Sequence, residues 1–156
     1  MFTLSSPAYQ DQSAMDRRYT CEGDSVSPPL KWSGAPAGTK SFALIIDDPD
    51  APDPANPKRT FVHWVIYDIP ASVSGLEEGA SGNLPSGARP GANDDGESAY
   101  TGPCPPTGRH RYFHKLYALD VVLPDLHNPS KAQLLAAMKG HVVGETQLIG
   151  TYQKHP

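Results

Sequence analysis

A mainly-β chain built as two packed sheets with Greek-key connections is the fold class this sequence predicts, on three observations. Fourteen glycines and 17 prolines punctuate 156 residues, which leaves little room for long helices. Between these breakers lie short runs rich in β-branched and aromatic residues, the pattern of strands that pack on both faces or one. Only one segment carries helix signals at both ends, so any helices are few, short and peripheral to the sheets.

In chain order, Leu30-Lys31-Trp32 is a short strand candidate, and Ser41 to Asp47 reads as a buried strand without polar alternation. Phe61 to Asp68 reads as a second long strand, closed by Ile69-Pro70. From Gly79 to Gly108 the chain has no periodic apolar pattern. Irregular stretches beyond about 12–15 residues are uncommon in compact domains unless they serve a site, so this one is expected to be ordered and to wall a pocket. Asn93-Asp94-Asp95-Gly96 and Tyr100 supply polar groups to tie it down. The strand pattern resumes at Arg111 and runs to Leu123. Ser130 then caps a helix over Lys131–Lys139, stopped by Gly140, with Leu134, Leu135 and Met138 as its buried stripe. A last, interrupted strand is expected from His141 to Tyr152.

Length and composition bound the function. Residues 1–156 suit one domain, and 38% hydrophobic with 19% charged residues is a globular profile. A net charge of −4 and the lack of a Lys/Arg cluster argue against nucleic acid as a partner, and Arg17-Arg18 and Lys58-Arg59 read as solvated surface pairs. No run approaches the ~18–20 apolar residues of a membrane span. Met1 to Pro7 shows no basic region followed by an apolar core, so a cytoplasmic protein is expected. Cys21 and Cys104 lack CxxC spacing, and in a reducing compartment they are expected as two unconnected thiols, although both sit in Gly/Pro-rich loops that could meet.

Two segments concentrate the chemistry: Asp47-Asp48-Pro49-Asp50-Ala51-Pro52, and Gly102 to Tyr112 with Pro103, Pro105 and Pro106 inside it. Each sets ionisable side chains into stiffened backbone beside a strand, as a preformed small-ligand pocket requires. Extended geometry projects Asp48 and Asp50 to one side, while the competing reading is an Asx turn in which one carboxylate caps nearby N–H groups. His110 and Tyr112 share a strand face from which Arg111 points away. By the same period, His63 falls with Phe61, Val65 and Tyr67, where a histidine is more often a satisfied core residue. Tyr100 and Tyr112 could be pocket walls or buried aromatics with paired hydroxyls.

Asp-Pro-Asp-Ala-Pro, then a strand with His63-Trp64, then Gly-Pro-x-Pro-Pro-x-Gly-x-His-Arg-Tyr, resemble the signature of the phosphatidylethanolamine-binding protein family, also called Raf kinase inhibitor-like proteins. The likeness extends through Cys21-Glu22-Gly23, Ser27 to Trp32, Asn93 to Gly96 and Tyr100 to Cys104, and is closest to the bacterial branch. The resemblance implies the family's two-sheet Greek-key fold and a small pocket for a phosphate-like anion or a phospholipid headgroup of the phosphoethanolamine type. It places Asp48, Asp50, His63, His110 and Tyr112 around that pocket, with Pro103 in the adjoining loop. It implies no obligate metal and, by analogy, a homodimer; no cofactor is expected, and no catalysis, since the cysteines sit in no recognisable nucleophile context. The chain ends soon after Tyr152, without the C-terminal helix of eukaryotic relatives, which gives a kinase-inhibiting role little weight. The alternative is an interaction or inhibitor module that docks a phosphorylated protein partner; a phosphoester hydrolase ranks below both, since no GxSxG elbow is present. A zwitterionic ligand suits the mixed signs, the two imidazoles serving as donors to the anion and the carboxylates facing an ammonium. Imidazole titrates near pH 6.5, so anion affinity is expected to rise as pH falls from 8 to 6, and a flat affinity in a titration over that range would count against an imidazolium role.

Overall fold

The computed structural model describes residues 1–155; Pro156 lies outside them. The main sheet is built on four long strands, β4 (Ser41–Ala51), β5 (Arg59–Pro70), β8 (His110–Leu119) and β9 (Val142–Tyr152). Two-residue strands close its ends, β2 (Ser13–Ala14) beside β9 and β7 (Arg89–Pro90) beside β5, giving the order β2-β9-β8-β4-β5-β7. All pairings are antiparallel except β2 with β9. A second sheet of β1 (Thr3–Ser5), β3 (Leu30–Ser33) and β6 (Gly75–Leu76) has the order β1-β3-β6. The Greek-key character lies in the long return after β5: β8 pairs with the other edge of β4, not with β5. The mainly-β, two-sheet architecture expected from the breakers and strand runs is the one observed.

β4 is buried on both faces, which is why its sequence shows no polar alternation. Phe42, Leu44 and Ile46 pack with Trp32, Trp64, Ile66 and Leu116 between the two sheets. Ala43 and Ile45 project the opposite way and pack with Val65, Tyr67 and Leu119 under the α-helix α1 (Lys131–Met138). Ser130 caps α1 through a reciprocal box with Gln133, and Gly140 follows at φ +85°, the left-handed stop that glycine favours. Leu134 and Met138 form the buried stripe, but Leu135 stands at the surface, so the helix docks on a narrower line than its apolar residues predicted. The basic pairs are surface features: Arg18 meets Glu78 and Arg59 meets Asp94, all partly exposed.

Two expectations need correction. Cys21 and Cys104 are not separate thiols but a disulfide, with Cα atoms 5.3 Å apart across 83 residues of sequence. The return loop lies against the segment 20–25, where the Cys21 N–H donates to the Pro103 carbonyl at 3.0 Å. A crosslink over so long a loop stabilises by about 4.5 kcal/mol on the chain-entropy model. The second correction concerns His63. Ile46 pairs with Trp64 but Asp47 pairs with Val62, so His63 is an extra residue bulged out of the β4–β5 ladder. The bulge resets the alternation: Val62 joins Val65 and Tyr67 beneath the helix, while Phe61 and His63 turn to the opposite face.

His114, fully buried on β8, accepts from the Tyr9 hydroxyl at Nε2 (2.6 Å) and donates from Nδ1 to the Tyr112 carbonyl (2.9 Å). Burial holds it neutral and pushes its pKa down from 6.5 to about 4. Between those values the unfolded chain takes up a proton that the folded chain refuses, so stability present at neutral pH is lost as pH falls from 6.5 toward 4. The loss is roughly 3 kcal/mol at its fullest. Urea unfolding at pH 7 and pH 4.5 should show this decline, and His114→Asn should flatten it.

Candidate functional site

The β4–β8 ladder ends at Asp47 and Phe113, whereas β8 stays paired with β9 as far as His110. Beyond Asp47 the two strands are joined by side chains. Asp48 Oδ2 lies 2.6 Å from His110 Nδ1, and Asp48 Oδ1 accepts from the Asp50 N–H at 2.7 Å, the Asx contact anticipated for an Asp-Pro segment. Asp50 takes Arg111 in a fork, Nε to Oδ2 at 3.0 Å and Nη2 to Oδ1 at 2.9 Å, and also accepts the Arg111 backbone N–H at 2.9 Å. These bonds hold its carboxyl below the usual carboxylate range, with the Arg111 side-chain bonds the largest cause.

Around this seam opens a cavity of about 400 Å³, within the ~300–1,000 Å³ typical of small-molecule sites. Asp48, His63, His110 and Tyr112 line it together with Phe61 and Ala51. Asp50 and Pro103 do not reach it. A register shift between Asp48 and Ala51 breaks the extended alternation, so the two carboxylates part: Asp48 faces the cavity and Asp50 meets Arg111. The return loop supplies the opposite wall through Asp95, Thr101, Gly102, Pro105 and Pro106, and the Cys21–Cys104 disulfide lines it too. Gly102 is required by closeness: a β-carbon there would stand 2.6 Å from Ser25 Oγ and 3.0 Å from the Tyr19 carbonyl oxygen. Tyr100, the other candidate wall, is a core residue whose hydroxyl donates to the Tyr19 carbonyl.

The hydrogen-bond roles are constrained. His63 Nδ1 faces the Thr101 carbonyl at 2.8 Å, so it carries the hydrogen and leaves Nε2 with a lone pair. Burial pushes the His63 pKa down, against the raising effect of the Thr101 bond and of Asp48, Asp95 and Asp47. His110 Nε2 faces the Thr107 carbonyl at 2.8 Å while Nδ1 faces Asp48, so both nitrogens meet acceptors. Tyr112 is fully buried, and its hydroxyl finds no partner among the described residues. Asp95, at the exposed rim, accepts from Thr101 Oγ1 at 2.7 Å through one oxygen only. Among the described residues no group of three or more His, Cys, Asp or Glu side chains could hold a metal ion, and no helix is long and apolar enough to cross a membrane.

Sequence reasoning missed the disulfide, Asp95 and Phe61 as parts of the wall. The loop position of Asp95 opposite His63 was the only available signal, and it emerges only once the chain returns on itself. The roles now assigned to the two aspartates separate experimentally. Asp50→Ala should lower stability by about 2 kcal/mol in urea unfolding, the scale of lost charge-assisted hydrogen bonds, while a phosphate-bearing ligand binds within a few-fold of wild type. Asp48→Ala should weaken both stability and binding.

Residues 5–153 match the family model described as phosphatidylethanolamine-binding protein. Over 153 residues the chain is 50% identical to a UPF0098 protein of Methanothermobacter thermautotrophicus, covering 97% of this chain and 98% of that one. A crystal structure of a putative phosphatidylethanolamine-binding protein homolog from Chlamydia trachomatis superposes with a TM-score of 0.90 at 40% identity, covering 99% of this chain and 98% of the other. The structure of E. coli YbcL, described as a new member of the mammalian family, gives 0.89 at 32% identity, with 99% of each chain covered.

Proposed function

The chain belongs to the phosphatidylethanolamine-binding protein family, and we propose that its cavity binds a phosphate-bearing headgroup of the phosphoethanolamine type as a binding protein, without turning it over. One observation carries this reading: Tyr112, buried on the cavity wall, keeps a hydroxyl that finds no partner among the described residues. A buried polar group left unpaired costs ~1–3 kcal/mol, and an acceptor brought by a ligand recovers it. A phosphate oxygen is such an acceptor, and Asp95 at the rim has an oxygen to offer an ammonium. The volume suits a headgroup rather than a pair of acyl chains.

Binding rather than catalysis is favoured by what the neighbouring groups already do. Both nitrogens of His110 are engaged, so it has no free edge with which to pass a proton to a substrate. Both cysteines are oxidised, which removes them as nucleophiles. A cytoplasmic placement would have to be one that keeps this disulfide oxidised, since reducing cytosols open such bonds.

Tyr112→Phe tests the reading. The variant should be as stable as wild type or more stable by about 1 kcal/mol, because an unsatisfied hydroxyl is removed. It should also bind phosphoethanolamine about tenfold more weakly by calorimetry, the scale of one lost hydrogen bond. Unchanged affinity would remove the basis of the assignment. Parallel titrations with inorganic phosphate and with vesicles containing phosphatidylethanolamine separate a free anion, a headgroup and a whole lipid.

A further inference from the structure

Nearly all side-chain hydrogen-bond donors around the cavity are already engaged. The His63 Nδ1–H is given to the Thr101 carbonyl, and the His110 hydrogens point to Asp48 and Thr107. Ser25 Oγ donates to the Thr20 carbonyl and Thr101 Oγ1 donates to Asp95. The Thr101 backbone N–H bonds the His63 carbonyl at 3.0 Å. In the adjoining loop Pro103, Pro105 and Pro106 have no N–H to give. Among the described residues, Tyr112 keeps the one side-chain donor on this wall that is not already engaged.

Acceptors, by contrast, are in excess. His63 Nε2 has no partner among the described residues and is not sealed from the cavity, and its lone pair is fixed by the bond at Nδ1. The groups around this imidazole do not supply the missing hydrogen. From β4 it feels Asp47 and Asp48, from the return loop Asp95 and the Thr101 carbonyl, and from β8 Tyr112, whose ring lies 5.2 Å away, with His114 beyond. Phe61, on its own strand, packs against it at 4.9 Å. A fully ionised phosphomonoester placed here would set oxygens that only accept against that lone pair and the Asp95 carboxylate.

Resting on the headgroup reading, we propose that the cavity takes phosphomonoesters in their singly protonated form, the P–O–H hydrogen being shared with His63 Nε2, so that binding at neutral pH takes up one proton from solvent. The proton balance is simple: the free dianion plus one solvent proton gives the bound monoanion, and no bond to phosphorus changes. The second pKa of a phosphomonoester is ≈ 6, so near pH 7.5 the ligand arrives almost wholly as the dianion. His63 becomes the residue that selects a protonatable oxyanion over one that stays fully ionised.

Calorimetry of phosphoethanolamine at pH 7.5, in two phosphate-free buffers of different ionisation enthalpy, measures the proton directly. Uptake near one proton per ligand is expected, with Kd rising about tenfold per pH unit above pH 7, from one proton bound. Sulfate, which does not protonate in this range, should bind at least 100-fold more weakly than inorganic phosphate at pH 6. His63→Gln places an amide that donates without titrating, so uptake and the pH slope should both vanish. Tight binding with no uptake, or sulfate equal to phosphate, overturns the proposal and leaves the headgroup reading standing. Uptake unchanged in His63→Gln puts the proton on another group and overturns the role of His63. No binding of phosphoethanolamine at any pH removes the headgroup reading and the proposal together.

Discussion

Where the β4–β8 ladder stops, the fold changes the kind of bond that holds it. Up to Asp47 and Phe113 the strands are joined by backbone hydrogen bonds; past that point the Asp48–His110 and Asp50–Arg111 pairs take over. Side chains reach farther than a ladder bond, so the strands can stand apart there and leave room for a cavity. A polar pair as buried as Asp48–His110 gains little net stability, because desolvation offsets the attraction. What it fixes is position. The ring of His110 is held at both nitrogens, and Tyr112, stacked on it with centroids 6.3 Å apart, follows.

The same constraint explains the sharing of labour between neighbours. Asp48 and His110 face inward and bond each other; Asp50 and Arg111, one bulge and one residue away, lie outside the cavity lining and tie the same two segments together. The return loop completes the enclosure and sinks Tyr100 into the core between the sheets. It is held by Asn93, whose side chain bonds Ala99, Asp95 and Glu97, by the close approach of Gly102, and by the disulfide to the segment 20–25. A wall built from prolines and a crosslink is stiff, which lowers the entropy lost on binding. Across from it, the fixed lone pair of His63 is what turns the pocket toward a ligand that brings a hydrogen of its own.

Much of this was legible in the residues. Breaker density and β-branched runs located β3, β4, β5, β8 and β9 within a few residues of their observed limits, because strand formation there follows local pattern. The capped helix was legible for the same reason: Ser130, Gln133 and Gly140 act over one turn. The long loop was readable as a wall, since its polar residues and glycines had no other evident use. Its partner across the cavity was not.

What escaped reading depended on parity and on distance. A single extra residue at His63 moves it from the face of Val65 to the face of the cavity, and nothing in Phe61-Val62-His63-Trp64 marks where a ladder will skip. The shift near Asp50 likewise sends two neighbouring carboxylates to different partners. Cys21 and Cys104 meet only because the loop folds back over the N-terminal segment, a contact between residues 83 apart in sequence. The sequence by itself therefore determined the elements and the side chains available to a site, because these follow from local propensity and chemical identity. Only the tertiary structure decided which atoms remain free, His63 Nε2 and the Tyr112 hydroxyl among them, because a group's freedom depends on every partner that folding brings against it.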